Sequence, residues 1–566
     1  METNYFKSAP HWKLILILLV CGYFFLMFGN GIVSLTHPDE VFYAQTAKEM
    51  AAHKSWLTPM IFDAPQFEKP ILFYWLLAVT IKWFGAAPFV ARFWPAFFGI
   101  LGVVVTYWIA FMLFERKRIS FWSALILMSS LIYLALSRSV LTDMVFSIWV
   151  ISSIGFFYWG YRYPRHKKAG IILFFVFSAI AVLTKGMLGF AFPCLTIFLF
   201  LWYKKDFTFL KDKAVLIGIL MFLVISLPWH ILMYARHGQF FIDEYFKNVH
   251  IRRILEAEHA RCDTWFFYPL TMAAGMFPWS FFIFPAAVNM YQHYRKRTNH
   301  RDQNIFLFIW ILGIFLCVQT AHSKLASYIF PVFPAMAVLL AFYLDEALGK
   351  ISQGMKIKTI QIWGYCLPFI LIGLAGGSLI ASGIYTDYVV NRTPIYIFCF
   401  LMIILTVMII IFIRAKKYTA LVFSHMAVTM SLLIMLFFAG QYIEPWVSCR
   451  GIAREFKKID SSHGLILSSK FYARAARFYT DREVAVMDIN GKGFFSPHPI
   501  LFLNADHELL DFLRNQPLIY GIVKKGDLND LERLRGMDPF YTLEVLKEMG
   551  GKYIVRIKKL NKQPAL

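Results

Sequence analysis

Charged residues are scarce in this chain: Asp, Glu, Lys and Arg make up 16% of its 566 residues, against 59% hydrophobic. A soluble protein carries roughly 25% charged residues, so a large solvated surface is excluded, and a mean hydropathy of +0.57 says the same. There is no glycine-rich loop of the phosphate-cradling kind, which excludes a soluble nucleotide-sugar fold built on one. The seven cysteines are scattered, mostly inside apolar runs (Cys21, Cys194, Cys317, Cys366 and Cys399), so neither a metal knuckle nor a disulfide framework is implied. Cys262 and Cys449 lie outside the runs, and their pairing stays open. No internal repeat is visible, which argues against a transporter built on inverted halves. The first apolar stretch, after Lys7 and Lys13, has no small-residue cleavage site behind it and reads as a retained helix.

What is present is a series of apolar runs near the length that crosses about 30 Å of hydrocarbon. Lipid tolerates no unpaired backbone, so such runs are helices or barrel strands, and they are too long and continuous for strands. Thirteen spans follow, at roughly 12–33, 90–113, 120–137, 143–160, 170–184, 187–202, 214–233, 268–290, 303–320, 329–347, 359–384, 395–413 and 418–440. The net charge of +23 sits largely in short clusters between spans: Arg116–Arg118, Arg162–Lys168, Lys204–Lys213, Arg295–Arg301, Lys350–Lys358 and Arg414–Lys417. Each cluster follows an even-numbered span, which places those loops and the N-terminus in the cytoplasm. The pattern is topogenic, so nucleic acid is not an expected partner; membrane lipid is.

The expected architecture is therefore an all-α polytopic membrane domain over 1–440, with long outer loops at 34–89 and 234–267, and a second domain over 441–566 outside. Amphipathic stretches at Val41–Ala52 and Ile71–Phe84 suit helices lying along the interface. In 441–566 both signs of charge appear, and short strand-like runs (Leu465–Ser468, Glu483–Met487, Ile500–Leu503, Leu518–Val523, Tyr553–Ile557) alternate with helical ones (Ile452–Ile459, His507–Asn515, Leu528–Arg535). That alternation predicts a small α/β domain.

Ionisable residues at the ends of spans are functional candidates by default, and here they gather on the outer side. Asp39 and Glu40 follow the first span, Glu68 and Lys69 lie in the same long loop, Asp143 and Lys185 sit in tight hairpins, Arg252 and Arg253 in the second long loop, and Lys324 and Tyr328 in a further one. Each has a plainer reading. Asp39 and Glu40 can be solvated loop residues, Lys69 and Lys185 snorkelling cations, and the arginine pair a headgroup patch. Histidines 230, 250, 259 and 322 form no recognisable ligand spacing, and no metal set is expected. Taken together, cations at a membrane surface cradle a lipid phosphate, and a neighbouring carboxylate can take a proton from an incoming hydroxyl. Asp39, Glu40 and Asp143 are the candidate catalytic carboxylates; Glu68, Lys69, Lys185, Arg252, Arg253, Lys324 and Tyr328 are the candidate binding residues. Sugar transfer from a polyprenyl phosphate uses that combination, since its leaving group is already a phosphate and needs no second acid.

The segments HPDEVFYAQTAKEM, FEKPILFYW, LTDM, LTKGMLGF and SKLASYIFPVFPAM resemble, in order and spacing, the lipid A 4-amino-4-deoxy-L-arabinose transferases, within the wider protein O-mannosyltransferase-like glycosyltransferases of the GT-C fold. The resemblance covers about the first 350 residues; the later part matches in layout. It implies an inverting transfer of a sugar from undecaprenyl phosphate to lipid A or a related envelope glycolipid, at the periplasmic face of a bacterial inner membrane, by a monomer. It also implies that Asp39 is the base or acceptor-orienting carboxylate. Glu68 and Lys69 would line the cavity, Asp143, Lys185 and one of Arg252 or Arg253 would organise the site and bind donor phosphate, and Tyr328 would lie near that phosphate. The family's bacterial members can hold a divalent metal. Two departures stand out: the family's arginine three residues after the motif Asp is Phe42 here, and Ile71 stands where a second proline is common. Against this reading stand a protein O-glycosyltransferase, a lipid or solute transporter with ionisable residues at mid-membrane, and a scaffold that binds through its outer domain.

Overall fold

The computed structural model describes residues 6, 8–257, 260–355, 357–386, 389, 391–462, 464–489, 491 and 500–560; His259 therefore lies outside the described residues. Every apolar run forms a helix. In chain order these are α1 (His11–Gly22, running into a π turn at Tyr23–Met27), α2 (Asp39–Ala52), α3 (Leu72–Phe84), α4 (Pro88–Phe114), α5 (Lys117–Met128), α6 (Leu131–Ser137), α7 (Thr142–Arg162), α8 (Lys167–Lys185), α9 (Leu188–Lys204) and α10 (Ala214–Phe241). They continue as α11 (Phe267–Gly275), α12 (Ile283–Arg295), α13 (Arg301–Gln319), α14 (Phe333–Ser352), α15 (Lys358–Ile384), α16 (Thr393–Arg414) and α17 (Tyr418–Val447). Among the described residues, nine helices are long and apolar enough to cross a membrane, or eleven when two bent pairs each count as one span. The 17-residue helices His11–Met27 and Leu188–Lys204 are shorter.

The two bent pairs brace one another. The α5–α6 pair bends by 66° and the pair formed by α11 with Ser280–Arg295 by 119°. A helix broken in hydrocarbon must find partners for the backbone groups it frees. At the first break, Ser129 and Ser130 hydroxyls donate to the carbonyls of Leu125 (2.6 Å) and Leu127 (2.8 Å). Leu131 N–H then donates across to Phe277 O in the second break at 3.0 Å, and Trp279 Nε1 donates to Ser129 Oγ at 2.9 Å. Elsewhere small residues allow close approach: a Cβ on Gly170 would stand 2.6 Å from the Gly160 Cα, so α7 and α8 meet backbone to backbone.

The basic loops collect at one end of the bundle. Arg116 and Arg118 both pair with Asp345, Lys204 pairs with Asp302 at 2.6 Å, and Lys167 with Asp212 at 3.5 Å. At the opposite end sit α2, α3 and a six-stranded sheet. Its strands are β3 (Ile466–Ser469), β4 (Val484–Met487), β5 (Phe502–Leu503), β6 (Leu518–Lys524), β7 (Tyr541–Met549) and β8 (Lys552–Lys559), after a small hairpin of β1 (Met60–Ile61) and β2 (Ala64–Pro65). The order is β5-β4-β3-β6-β8-β7; β5, β4, β3 and β6 are parallel, and β8 and β7 close the sheet antiparallel. The helices α18 (Arg450–Ile459), α19 (Ala473–Thr480), α20 (Asp506–Arg514) and α21 (Lys525–Met537) accompany it. The expected strand and helix alternation is there; α19 and β7 are additions to it.

One expectation changes. Helix α3 keeps an outward apolar face, with Trp83 and Phe84 each 75% exposed. Helix α2, expected along the interface, is buried on nearly every side. The reason is the sheet module above it: Lys48 of α2 donates to Phe478 O (3.1 Å) and pairs with Asp481 (2.5 Å), and Arg477 reaches Glu49 (3.6 Å) and Asp63. A short sequence window sees the polar face but not the domain that covers it.

Candidate active site

The site is built on the first turn of α2. Its two acidic residues favour a helix N-terminus, and they divide the work. Glu40 points into the protein: Arg92 of α4 holds both its oxygens (Nε to Oε1 2.8 Å, Nη2 to Oε2 2.6 Å), Thr36 donates through its N–H (2.9 Å) and its hydroxyl (2.8 Å), and Val140 N–H adds a bond at 2.9 Å. Burial alone would raise the Glu40 carboxyl; the Arg92 hydrogen bonds and charge outweigh it and hold the group below its usual range. Arg92 is saturated in turn by the carbonyls of Asn30 (2.8 Å), Val33 (2.6 Å) and Ser34 (3.1 Å). This ion pair ties α2 to α4 and to the end of α1.

Asp39 belongs to a different cluster, centred on Tyr43 one helical turn further on. Tyr43 is buried; burial raises its hydroxyl well above the usual value, and Tyr74 and the charges of Glu68, Asp143 and Asp39 push it the same way. The cations stand beside Glu68 and Asp143. Lys185, which ends α8, pairs with Asp143 at the start of α7, and its ammonium lies 4.7 Å from the centre of the Tyr328 ring. Arg253 reaches Glu68 at 3.4 Å. Lys69 is 9% exposed and donates to Glu68 O at 3.0 Å. Burial, then the neighbouring Arg253, lowers its pKa to about 8; Glu68 opposes this, Lys185 adds to it and Asp143 opposes it. The hairpin that delivers Lys185 depends on Gly186: its φ is +93°, and a Cβ there would lie 2.4 Å from His250 Nε2.

Glu68, Lys69, Asp143, Lys185, Arg253 and Tyr328 are thus brought together from five separated segments, and the Asp39 charge bears on the same Tyr43 as those of Glu68 and Asp143. Three candidates stand apart. Glu40 is turned toward Arg92. Arg252 faces outward, paired with Glu256 at 2.8 Å, its side chain 41% exposed against 13% for Arg253. Lys324 is buried against Asp263, which also accepts from His322 at 2.7 Å; the Lys324 and His322 hydrogen bonds hold that carboxyl low. The strand-like pairing of His322 N–H with Ile254 O (3.2 Å) and Ser323 N–H with Arg253 O (3.1 Å) makes this a brace for the Arg253 segment. Tyr43 and Arg92 were not singled out from sequence. Tyr43 is four residues after Asp39, and Arg92 is a lone charge at the start of an apolar helix; both signals were legible. Phe42 packs under the guanidinium of Arg474 from α19, 4.4 Å from its ring centre.

Histidines 230 and 250 flank Tyr245, their ring centres 5.4 and 4.7 Å from its own, while His322 lies apart on Asp263. Among the described residues the one group of three possible metal ligands is Glu49, His53 and Asp63. Arg477 already contacts its two carboxylates, and both Glu49 oxygens accept backbone N–H groups of Phe62 (3.1 Å) and Asp63 (2.9 Å).

A helical membrane bundle with a charged cluster at one end, overlain by an α/β sheet, defines a class: a polytopic membrane protein whose candidate site lies at one end of the bundle. Comparison with known proteins narrows it. Residues 12–242 match the family model for dolichyl-phosphate-mannose-protein mannosyltransferase. An uncharacterized protein of Aquifex aeolicus is 27% identical over 83% of this chain and 88% of its own length. The undecaprenyl phosphate-alpha-4-amino-4-deoxy-L-arabinose arabinosyl transferase of Edwardsiella ictaluri is 27% identical over 65% of this chain, a match that spans 64% of that enzyme. The crystal structure of ArnT from Cupriavidus metallidurans bound to undecaprenyl phosphate shares the fold, with a TM-score of 0.77 over 97% of this chain and 98% of that one at 19% identity. The chain thus resembles the aminoarabinose transferases and the protein mannosyltransferases in sequence and shares the fold of ArnT, which supports a glycosyltransferase of that type.

Proposed function

We propose that the protein transfers a sugar from undecaprenyl phosphate, or a closely similar polyprenyl phosphate, to an envelope glycolipid of the lipid A type. The observation that carries this is the concentration of Lys69, Arg253 and Lys185 with Glu68 and Asp143 at the end of the bundle opposite the basic loops. Three cations held in one cluster offer a donor phosphate charge-assisted hydrogen bonds, which stabilise the charge that develops as it leaves. Asp39 takes the proton of the acceptor hydroxyl as the new glycosidic bond forms, and attack on the face opposite the phosphate inverts the anomeric centre. Asp143 orients Lys185, Glu68 orients Arg253 and Lys69, and Tyr328 packs against Lys185. Glu40 serves as a positioning residue that fixes the turn carrying Asp39, not as a base.

The orientation is part of the proposal. Thirteen spans, an N-terminus in the cytoplasm and the sheet in the periplasm are the arrangement that the alternation of basic clusters along the chain supports. A reporter fused after Leu566 is expected to be active only outside the cytoplasm; activity inside would reverse the assignment. A second reading, a protein acceptor, draws on the mannosyltransferase family match. Addition of an extended peptide to the sheet would use an open edge, and the edge strand β7 carries Glu544, Lys547 and Glu548, residues that blunt such pairing.

The reaction itself is tested with purified protein and a polyprenyl phosphate–sugar. Wild type consumes the donor; Asp39→Asn binds undecaprenyl phosphate with unchanged affinity but lowers turnover by at least ~100-fold, the usual scale of a lost general base. Full turnover in Asp39→Asn would remove Asp39 from the mechanism.

A further inference from the structure

The sheet module holds a second cluster that the transfer site does not use. In the strand order β5-β4-β3-β6, the chain runs outward from β3 through β4 to β5 and then crosses back to β6 on the other side of β3. Such a reversal opens a crevice outside the carboxyl ends of the two strands where the order turns, and open α/β sheets bind small molecules there. Here the crevice lies between Ser469, which ends β3, and Lys524, which ends β6; Lys524 N–H donates to Ser469 Oγ at 2.8 Å.

The groups at this edge are of both signs. Lys470 pairs with Asp488, beyond the end of β4, at 2.9 Å. Lys524 lies 3.5 Å from Asp527 Oδ1 in the first turn of α21. Asp527 is 4% exposed, and its carboxyl accepts from Ser469 as well as meeting Lys524, yet its Oδ2 is left without a hydrogen-bond partner among the described residues. A buried carboxylate oxygen accepts and does not donate, and leaving it unmatched is costly. The ligand that suits the crevice therefore presents hydroxyl donors to Asp527 and oxygen acceptors to the two lysines. Phe471, the next residue after Lys470, is 48% exposed and offers an apolar face at the same edge.

This edge faces the transfer site. The Asp527 charge acts on Tyr472, whose ring lies 5.0 Å from that of His37; the Phe471 ring lies 4.8 Å from His37, two residues before Asp39. We infer that the crevice at the carboxyl ends of β3 and β6 binds the polyhydroxylated sugar headgroup of the acceptor, with Asp527 accepting from its hydroxyls and Lys470 and Lys524 donating to its oxygens. The inference rests on the proposed glycolipid acceptor and gives the sheet module a role in selecting it.

The test uses the full chain in detergent and measures direct binding, so that it stands apart from turnover. The ligand used is a phosphorylated glucosamine disaccharide without acyl chains, titrated by calorimetry, with undecaprenyl phosphate titrated in parallel. Wild type binds the disaccharide; Lys524→Ala and Asp527→Asn each weaken it by about tenfold, the scale of one hydrogen bond to a charged group, and undecaprenyl phosphate affinity does not change. Lys524 is partly exposed, so its variant decides the matter if Asp527→Asn fails to fold. No disaccharide binding by wild type, equal binding by the variants, or a parallel loss of undecaprenyl phosphate binding would each overturn the inference. If the disaccharide binds as stated but wild type consumes no polyprenyl donor, the proposed transfer fails while the crevice stands.

Discussion

At the scale of single residues, neighbours in sequence have opposite fates. Glu40 and Asp39 are adjacent, as are Arg252 and Arg253, yet one of each pair enters the cluster. Helical geometry explains the division, because adjacent side chains point about 100° apart. Sequence alone leaves the arginine pair open; the Glu68 contact of Arg253 and the outward Glu256 pairing of Arg252 separate them. Arg253→Ala is expected to weaken undecaprenyl phosphate binding by at least tenfold, whereas Arg252→Ala stays within about twofold, as exposed i,i+4 ion pairs contribute little. Equal effects, measured by titration of the two variants, would refute the distinction.

Lys69 makes the site sensitive to pH. Its pKa is lowered to about 8, so the free protein loses this positive charge as pH rises through that value. Donor-phosphate affinity should therefore fall between pH 7 and 9, and Lys69→Met should remove that dependence. The linked stability has the opposite sign: between about 8 and the lysine's ordinary value the unfolded chain binds more protons, so this group's contribution to stability rises with pH in that window. Donor affinity flat across pH 7–9 in the wild type would show that Lys69 does not meet the phosphate.

At the scale of elements, most helices were legible because a span must be apolar and of a set length. Register against neighbours was not. The breaks at Ser129 and Phe277 satisfy each other across distant segments, and no window of sequence contains both halves. The same holds for the burial of α2, which depends on α19 more than four hundred residues away. The joint most exposed to test is Arg92. Arg92→Ala would leave Glu40 buried without its partner, at a cost of about 3–5 kcal/mol. A fall in melting temperature is expected, and Glu40→Gln with Arg92 intact should be milder. Unchanged thermal stability in Arg92→Ala would mean that this ion pair does not anchor the turn carrying Asp39.

At the scale of the whole molecule, the charge pattern carried most of the information. Basic loops at every second exit made the two ends distinguishable, and three of those loops form separate ion pairs, Arg118 with Asp345, Lys204 with Asp302 and Lys167 with Asp212. The candidate site then falls at the other end, between the bundle and the sheet. What sequence could not supply was the sheet's partner surface, since β3, β6 and the helices they feed are ordinary α/β elements until their carboxyl edge is seen beside His37 and α2. That arrangement suits an enzyme whose donor arrives from the membrane and whose acceptor headgroup projects above it.

The most direct test of sugar transfer to an envelope lipid is mass spectrometry of envelope lipids from cells lacking the protein, from cells supplied with wild type, and from cells supplied with Asp39→Asn. A glycolipid carrying one additional sugar should disappear in the first, return with wild type and stay absent with Asp39→Asn. Identical lipid profiles in all three, or full restoration by Asp39→Asn, would contradict the assignment.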